Sequence, residues 1–488
     1  MKRNTAALSG ETFDVLIIGG GIVGAGIARD AALRGLRIAL VDRGDFAGET
    51  SSRSSKLIHG GFRYLEQRAF HLVAESCRER AILLRIAPHL VHPVPFLLPV
   101  YRDGPRSLLT LRIGMTLYDL LAMYRNTARH RTLSVDEALA AEPAIRSDGL
   151  VGAIRYYDCA EDDARFCVEN VLHAADLGAV CNNYCPVVAM DRTGEHITTV
   201  HLHDQVVGTE ITARARVIVN AAGPWVEQVA KMAGVDGTSA VRLSPTKGVH
   251  LLLPALTRKH ALTLQSADRR ILFVIPWHDC SIVGTTDTDY SGDAAAACAT
   301  EQDIGYLFEQ ISRALQQSVP REDLITTFAG VRPLLAAETK TPSSRSREHH
   351  IVRQGENLIS VAGGKYTTYR SIAQQAVDQI YAVLKRKSPP CQTAHEPIPP
   401  PSRDRVGEVL CEHPQVWERD VTMAVREEMA TSVADVMYRR TGLALSKCGG
   451  EATARRVATI MAREMNWSGE AEARSINSYL ESRDPVGK

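Results

Sequence analysis

Ten cysteines are scattered through 488 residues, and no C-x-x-C pair occurs; Cys181 and Cys185 are the closest two. That spacing excludes an iron–sulfur cluster or a structural zinc site as the organising centre, and no metal is expected. The thiols read as small, free and mostly buried groups in a reducing compartment. Nowhere does the chain offer roughly 18 uninterrupted apolar residues, so no transmembrane helix is expected, while attachment to a membrane surface stays open. The opening MKRNTAALSG starts like a signal peptide, but Glu11 and Asp14 interrupt it, and it reads as a short disordered lead. One sign of charge does not dominate either. With 57 basic and 56 acidic residues the net charge is +1, which gives no global reason to expect nucleic acid. Internal repeats and long low-complexity segments are absent. What remains is an ordinary globular composition, 45% hydrophobic and 23% charged, in a chain long enough for two or three domains.

The densest signal lies at residues 13–24, FDVLIIGGGIVG. Residues 13–18 are continuously apolar apart from Asp14, the pattern of a buried parallel strand. Gly19, Gly21 and Gly24 form G-x-G-x-x-G, and Ile22, Ile27, Ala31 and Leu33 then recur at helical spacing up to Gly35. Strand, glycine turn and helix together predict a dinucleotide-binding unit. The first glycine allows the turn, the second lets a pyrophosphate approach, and the third lets helix pack on strand. The helix N-terminus offers N–H groups to phosphate. Asp42, after the apolar run RIALV, is placed to accept from an adenosine ribose hydroxyl and argues against a 2′-phosphate. The motif alone leaves NAD and FAD open.

Further strands are predicted at 216–221, 248–253, 271–276, 280–285 and 358–362, and long helices at 162–177 and 301–315. The mixture indicates an α/β chain. Residues 385–405 are rich in proline and charge and read as a linker. Beyond them, 406–488 is helix-patterned and almost strand-free, and reads as a separate helical domain.

The segment TSSRSSKLIHGGFRYLE at 50–66, taken with the glycine turn, resembles the FAD-dependent sn-glycerol-3-phosphate dehydrogenases. These belong to the wider flavoprotein group that includes glycine, sarcosine and D-amino-acid oxidases. The likeness continues in NAAGPWV (220–226), IPWHDCSIVGTTDTDY (275–290), AGVRPL (329–334), GGKYTTYR (363–370) and EEMATSVADVMYRRT (427–441). It departs at Asp42, where the family often has Glu, and at Arg53, which sits in a usually small Ser-rich stretch. No cysteine-rich extension and no D-x-[DN]-x-[DN]-G pattern follows, so the likeness is nearest the single-subunit aerobic respiratory type.

The resemblance implies a Rossmann-type FAD-binding domain made of 11–90, 150–240 and 328–388. A mixed-sheet substrate domain of 91–149 and 241–327 would interleave with it, followed by a linker at 389–405 and an all-helical domain at 406–488. It implies oxidation of sn-glycerol 3-phosphate to dihydroxyacetone phosphate, with electrons passed to a membrane quinone. An oxidase making peroxide from oxygen, or an amine oxidase on the same fold, is the rival reading. A peripheral place on the inner face of the cytoplasmic membrane is implied as well, and a homodimer is left open.

Such chemistry needs an anchor for the phosphate, a base for the hydroxyl proton and a group facing the ring. Arg63 and Arg332 are the arginines within the matching motifs, and a planar guanidinium suits phosphate; the other reading of each is a structural salt bridge. Tyr64 is a further substrate-site candidate, and Thr285, Thr286 and Asp287 are read either as a group whose hydroxyl reaches the substrate or as an ordinary turn. Lys365, after two glycines, would stabilise developing charge. His59 is read either as the base or as a group that only bonds the ring edge or backbone. Thr50, Ser51, Ser52, Ser54 and Ser55 are small donors for pyrophosphate and ribityl hydroxyls. Ala222, Gly223, Gly363 and Gly364 allow close approach, and Thr367 and Thr368 are read as cofactor contacts or as caps of the next helix. Two basic amphipathic stretches, 102–131 and 367–387, are read either as membrane-surface helices or as core-packed ones.

Overall fold

The computed structural model describes residues 1–65, 68–123, 125–235, 241–266, 270–336, 348–401 and 406–483, without the side chain of Arg63. Among them, strands form an eight-stranded sheet, a ten-stranded sheet and one small hairpin. The centre of the first sheet is Thr12–Ile18, flanked by Thr209–Asn220 and Ile38–Val41, all parallel. Leu358–Gly363 and Val180–Asn182 extend it in parallel on the two sides, and His349–Gln354 closes one edge antiparallel. The opening strand is apolar throughout because both its faces are covered. Val15 and Ile17 pack under the helices Ile22–Leu33, Asp163–Asp176 and Tyr369–Val383. Leu16 and Ile18 pack on the other face against Val200, Leu202 and Val229. The register sets Ile18 beside Asn220 and Val41, and Asn220 beside Ser360, so the carboxyl ends of four strands open on one crevice.

The second sheet is mostly antiparallel and carries the predicted strands as Thr246–Pro254, Ile271–Trp277 and Cys280–Gly284. Alternate residues of Thr246–Pro254 face opposite ways. Val249, Leu251 and Leu253 meet the helix Glu301–Ala314, while Leu252 joins a cluster with Leu111, Met115 and Tyr118 of the helix Leu108–Leu121. Leu150–Glu161 and Thr326–Arg332 also belong to this sheet. Residues 150–161 and 328–332 therefore run with the second sheet, where the expected boundaries set them with the first.

Beyond residue 405 the described chain is mainly helical, with a short hairpin of Val409–Cys411 and Val416–Trp417. Its helices close over Val421, Val433, Met437, Val457, Met461 and Tyr479. Cys411 and Cys448 form a disulfide, their Cα atoms 6.1 Å apart. The expectation that every thiol is free fails for this pair, because the hairpin folds back onto the Cys448 turn. The other eight cysteines are free, six of them buried.

Two further expectations are corrected, and one that stood open between two readings is decided. The first residues are ordered: Asn4 caps a helix Thr5–Gly10, Leu8 is buried, and Arg3 pairs with Asp204 at 2.7 Å. The described part of the proline-rich segment, 385–401, lies against the first unit: Arg29 donates to the Glu396 carbonyl at 2.7 Å, and Ile398 is buried. Residues 402–405 lie outside the described residues. The stretch 367–387 is no membrane face, since Ile372, Ala376 and Ile380 of Tyr369–Val383 are fully buried in the core.

Candidate active site

A cavity of about 710 Å³ runs between the two sheets and receives residues from both. Its first wall is the glycine turn. Gly19 has φ +108°, and a Cβ there would meet the Ala221 carbonyl oxygen at 2.5 Å; a Cβ at Gly24 would sit 1.8 Å from the Gly19 carbonyl oxygen. Helix and turn thus approach closer than any side chain permits. Gly21 is the helix N-cap and supplies no side chain to that end, where the Ser51 hydroxyl accepts from the Ile22 N–H at 2.9 Å. Asp42 ties the turn to its own strand. One carboxylate oxygen accepts from Gly20 N–H at 2.6 Å and the other from Gly44 N–H at 2.8 Å. Burial pushes its pKa up to about 6 against the pull of these two amides.

The Ser-rich segment divides between cavity and frame. Thr50, Ser51, Ser54 and Ser55 line the cavity, and Ser52 does not. Thr50 donates to the Val331 carbonyl at 2.7 Å, and Ser54 to Asp163 at 2.7 Å. Asp163 is also the ion-pair partner of buried Lys56. Arg53, a residue with no expected role, lies 3.3 Å from Glu49 and donates to the Ala329 carbonyl. Ala222, Gly223, Gly363 and Gly364 line the cavity, the last three with positive φ.

His59, Tyr64, Arg332, Lys365 and Thr367 also line the cavity. The His59 amide donates to the Thr367 hydroxyl at 3.3 Å. Asp158 accepts from the next amide, Gly60, at 3.0 Å and from Tyr118 at 3.1 Å, and it pairs with Arg80. The Lys365 ammonium lies 3.8 Å from the Tyr64 ring centroid and donates to Ser76 at 3.1 Å. Arg332 lies over Gly248, where a Cβ would sit 2.2 Å from its Nη2. It donates to the Thr285 hydroxyl at 2.9 Å and faces Asp287 at 3.4 Å. Its carboxylate neighbour is therefore an aspartate on the adjoining loop.

Besides Ser52, four residues singled out in the sequence do not line the cavity or fall outside what is described. Thr286 is buried and turned into the sheet, where its hydroxyl accepts from Val249 N–H at 3.0 Å; its neighbour Thr285 faces the cavity instead. Thr368 is also buried, and its side chain does not cap the helix that follows it; its hydroxyl donates to the Lys365 carbonyl at 3.3 Å. Gly24 shapes the turn without lining the cavity. The backbone of Arg63 lies in the turn Phe62–Leu65, and its side chain is outside the described residues.

Two further residues of the cavity, His250 and Arg43, lie outside the sequence motifs. His250 stacks on Phe328 with ring centroids 4.7 Å apart, and its Nε2 lies 2.9 Å from the Ser55 hydroxyl. Burial, with Arg332 and Lys56 nearby, drives its pKa well below the ordinary histidine value, so the ring is neutral. A histidine inside the apolar strand run KGVHLLL was the available signal, since a buried polar ring needs a partner. Arg43 covers the Trp225 ring at 3.6 Å, and both residues line the cavity.

The residues present suit FAD: a glycine cradle that Cβ atoms would fill, a half-buried carboxylate at the end of the second strand, and the cations Arg332 and Lys365 among the lining residues. The FAD dependent oxidoreductase family matches residues 14–370, and the C-terminal domain of alpha-glycerophosphate oxidase matches residues 373–472. The chain is 34% identical to a glycerol-3-phosphate dehydrogenase of Synechocystis sp., over 91% of each chain. It is 35% identical to one of Mycobacterium leprae, over 96% of this chain and 88% of that one. The solved glycerol-3-phosphate dehydrogenase of Bacillus halodurans, complexed with FAD, superposes with a TM-score of 0.78 at 26% identity, covering 99% of this chain and 98% of that one. With sequence likeness that runs through both matched regions, the chain belongs to the FAD-dependent glycerol-3-phosphate dehydrogenase family.

Proposed function

We propose that this protein oxidises sn-glycerol 3-phosphate to dihydroxyacetone phosphate and passes the electrons to a membrane quinone. The observation that carries the reading is the presence of Arg332 and Lys365 in the same cavity as the glycine turn, with His59 among them. FAD, when bound, supplies the hydride acceptor for the substrate's central carbon. Arg332, together with Arg63, anchors the phosphate dianion, and Asp287 and Thr285 fix the plane of the Arg332 guanidinium. Lys365, steadied by Ser76 and Tyr64, faces the oxygen on which charge develops. His59 takes the proton of the central hydroxyl on a ring nitrogen. Asp158 and Thr367 hold the two successive amides of its turn, so the ring is presented from a fixed backbone. Gly19, Gly21, Asp42, Thr50, Ser51, Ser54, Ser55, Ala222, Gly223, Gly363, Gly364 and Thr367 hold the cofactor.

We place the protein peripherally on the inner face of the cytoplasmic membrane. The helix Leu108–Leu121 supports this: Leu109, Ile113, Leu117 and Leu120 form one exposed apolar stripe, up to 66% exposed, while Leu111, Met115 and Tyr118 pack inward. Arg112, Arg125 and Arg129 are exposed in and beyond the same helix. An apolar stripe with basic flanks matches an anionic lipid surface. No described helix is long and apolar enough to cross a membrane.

The decisive experiment is anaerobic rapid mixing with glycerol 3-phosphate and with glycerol, followed by turnover with quinone and with oxygen side by side. Bleaching of the flavin by the phosphate ester and not by glycerol is expected, with faster turnover on quinone. Arg332→Ala should cost about 2–4 kcal/mol in kcat/KM. Equal oxidation of glycerol would refute the phosphate anchor, and faster turnover on oxygen would make the protein an oxidase.

A further inference from the structure

We propose that Arg439 and Arg440 make the C-terminal helical unit a part of the FAD seat, acting as positioning residues through Asp45 and the loop 43–48. The proposal rests on the reading that the glycine turn and Asp42 hold the adenosine end of FAD. Both arginines lie in the motif ADVMYRRT, to which the chemistry above gives no task.

Asp45 stands three residues after Asp42 and is buried. Its two oxygens accept from both terminal nitrogens of Arg440 at 2.8 Å, and Arg439 Nε donates to one of them at 2.6 Å. Asn183 donates to the same carboxylate at 2.9 Å. The arginines are held in turn. Arg440 also donates to the Glu428 carbonyl, and Arg439 to Asp435, which accepts from Tyr184 at 2.7 Å as well. The Glu428 carboxylate receives both terminal nitrogens of Arg165 at 2.7 and 2.8 Å, which ties the motif to the helix Asp163–Asp176. A buried carboxylate with a bidentate guanidinium defines an orientation more sharply than apolar packing does.

The loop so held touches the cofactor turn directly. The Phe46 ring occupies the space of a Gly20 Cβ, at 2.4 Å, and Ala47 N–H donates to the Gly20 carbonyl at 3.1 Å. Gly44 N–H reaches Asp42. Arg43, Ala47 and Gly48 line the cavity themselves. Ala47 has φ +60°, a strained backbone for a residue with a Cβ that persists only where its surroundings fix it. Release of Asp45 therefore loosens Gly20, Asp42 and the cavity wall together. Because coupling is reciprocal, bound FAD must also tighten the seating of the helical unit.

The test uses the full chain. Hydrogen exchange at residues 435–441 is compared between FAD-loaded and FAD-stripped protein, and slower exchange with FAD is expected; equal exchange would overturn the proposal. In Asp45→Asn and Arg440→Lys, release of FAD, followed by flavin fluorescence, should be about tenfold or more faster. The KM for glycerol 3-phosphate at saturating FAD should be unchanged. Should either variant fail to fold, the exchange measurement on the unaltered chain still decides. Gly24→Val separates the two ideas. Retention of FAD by Gly24→Val would refute the seat itself. Loss of FAD there, with normal retention in Asp45→Asn and Arg440→Lys, would refute the clamp alone.

Discussion

Asp42 and the two cavity histidines show how environment sets the task of a residue. Asp42 is held near a pKa of about 6 by burial, so below that pH it carries a proton in the ligand-free protein. A ribose hydroxyl that donates to it favours the ionised form, and binding then releases a proton. FAD affinity is expected to rise with pH through about 6 and to level off above about 7, and Asp42→Asn should flatten the dependence. Flavin fluorescence titrations from pH 5 to 8 read it directly, and affinity falling with pH would contradict the assignment. The histidines differ in kind. His250 stays neutral because burial and two nearby cations oppose its charge, so it cannot produce a limb in the pH profile at ordinary pH. With His59 as the base, flavin reduction is expected to rise with pH, and His59→Gln should remove that rising limb and slow reduction about a hundredfold. His250→Gln should lower the rate and leave the limb in place. The reverse pattern would move the proton acceptor from His59 to His250.

Two elements with similar sequence patterns end in opposite places. Both Leu108–Leu121 and Tyr369–Val383 have an apolar stripe and nearby basic residues. The second is closed off because Tyr369 fills the space over Gly26, where a Cβ would lie 2.6 Å from its ring, and Ile372 and Ile380 follow it into the core. The first has two apolar faces: one packs on the second sheet and the other meets solvent. Ile113→Glu with Leu117→Glu is therefore expected to weaken binding to anionic vesicles at least tenfold, since each change removes burial of a large aliphatic side chain worth about 1.5–3 kcal/mol. Vesicle co-sedimentation measures this, and flavin reduction by glycerol 3-phosphate should be unaffected. Undiminished binding would remove the helix from the membrane contact.

At the scale of the whole molecule, ionic contacts join the helical unit to the nucleotide-binding sheet. Arg439 and Arg440 draw the Asp45 pKa down to about 2 in spite of burial. A depressed carboxylate contributes stability above its unfolded value of about 4, and that contribution is lost as pH falls toward 2. Acid unfolding followed by circular dichroism should show the stability advantage of the native chain over Asp45→Asn shrinking from pH 4 to pH 2. A difference constant across that range would mean that Asp45 acts through shape and not through charge.

The opening strand, the glycine turn and Asp42 were legible from the chain alone, because a buried parallel strand must be apolar on both faces and only glycine fits at Gly19 and Gly24. The mixed strand and helix content, the helical region after the proline-rich segment, and the family likeness were legible for the same local reasons. Tertiary structure decided what depends on partners distant in sequence. It turned Thr286 into the sheet and brought Thr285 to Arg332, since alternation along a strand does not say which face a cavity will meet. It brought His250 to Ser55 across 195 residues and Arg440 to Asp45 across 395. It also joined Cys411 to Cys448 and buried the helix Tyr369–Val383. Periodicity determines that a side is apolar; only the packing of the other elements determines what covers it.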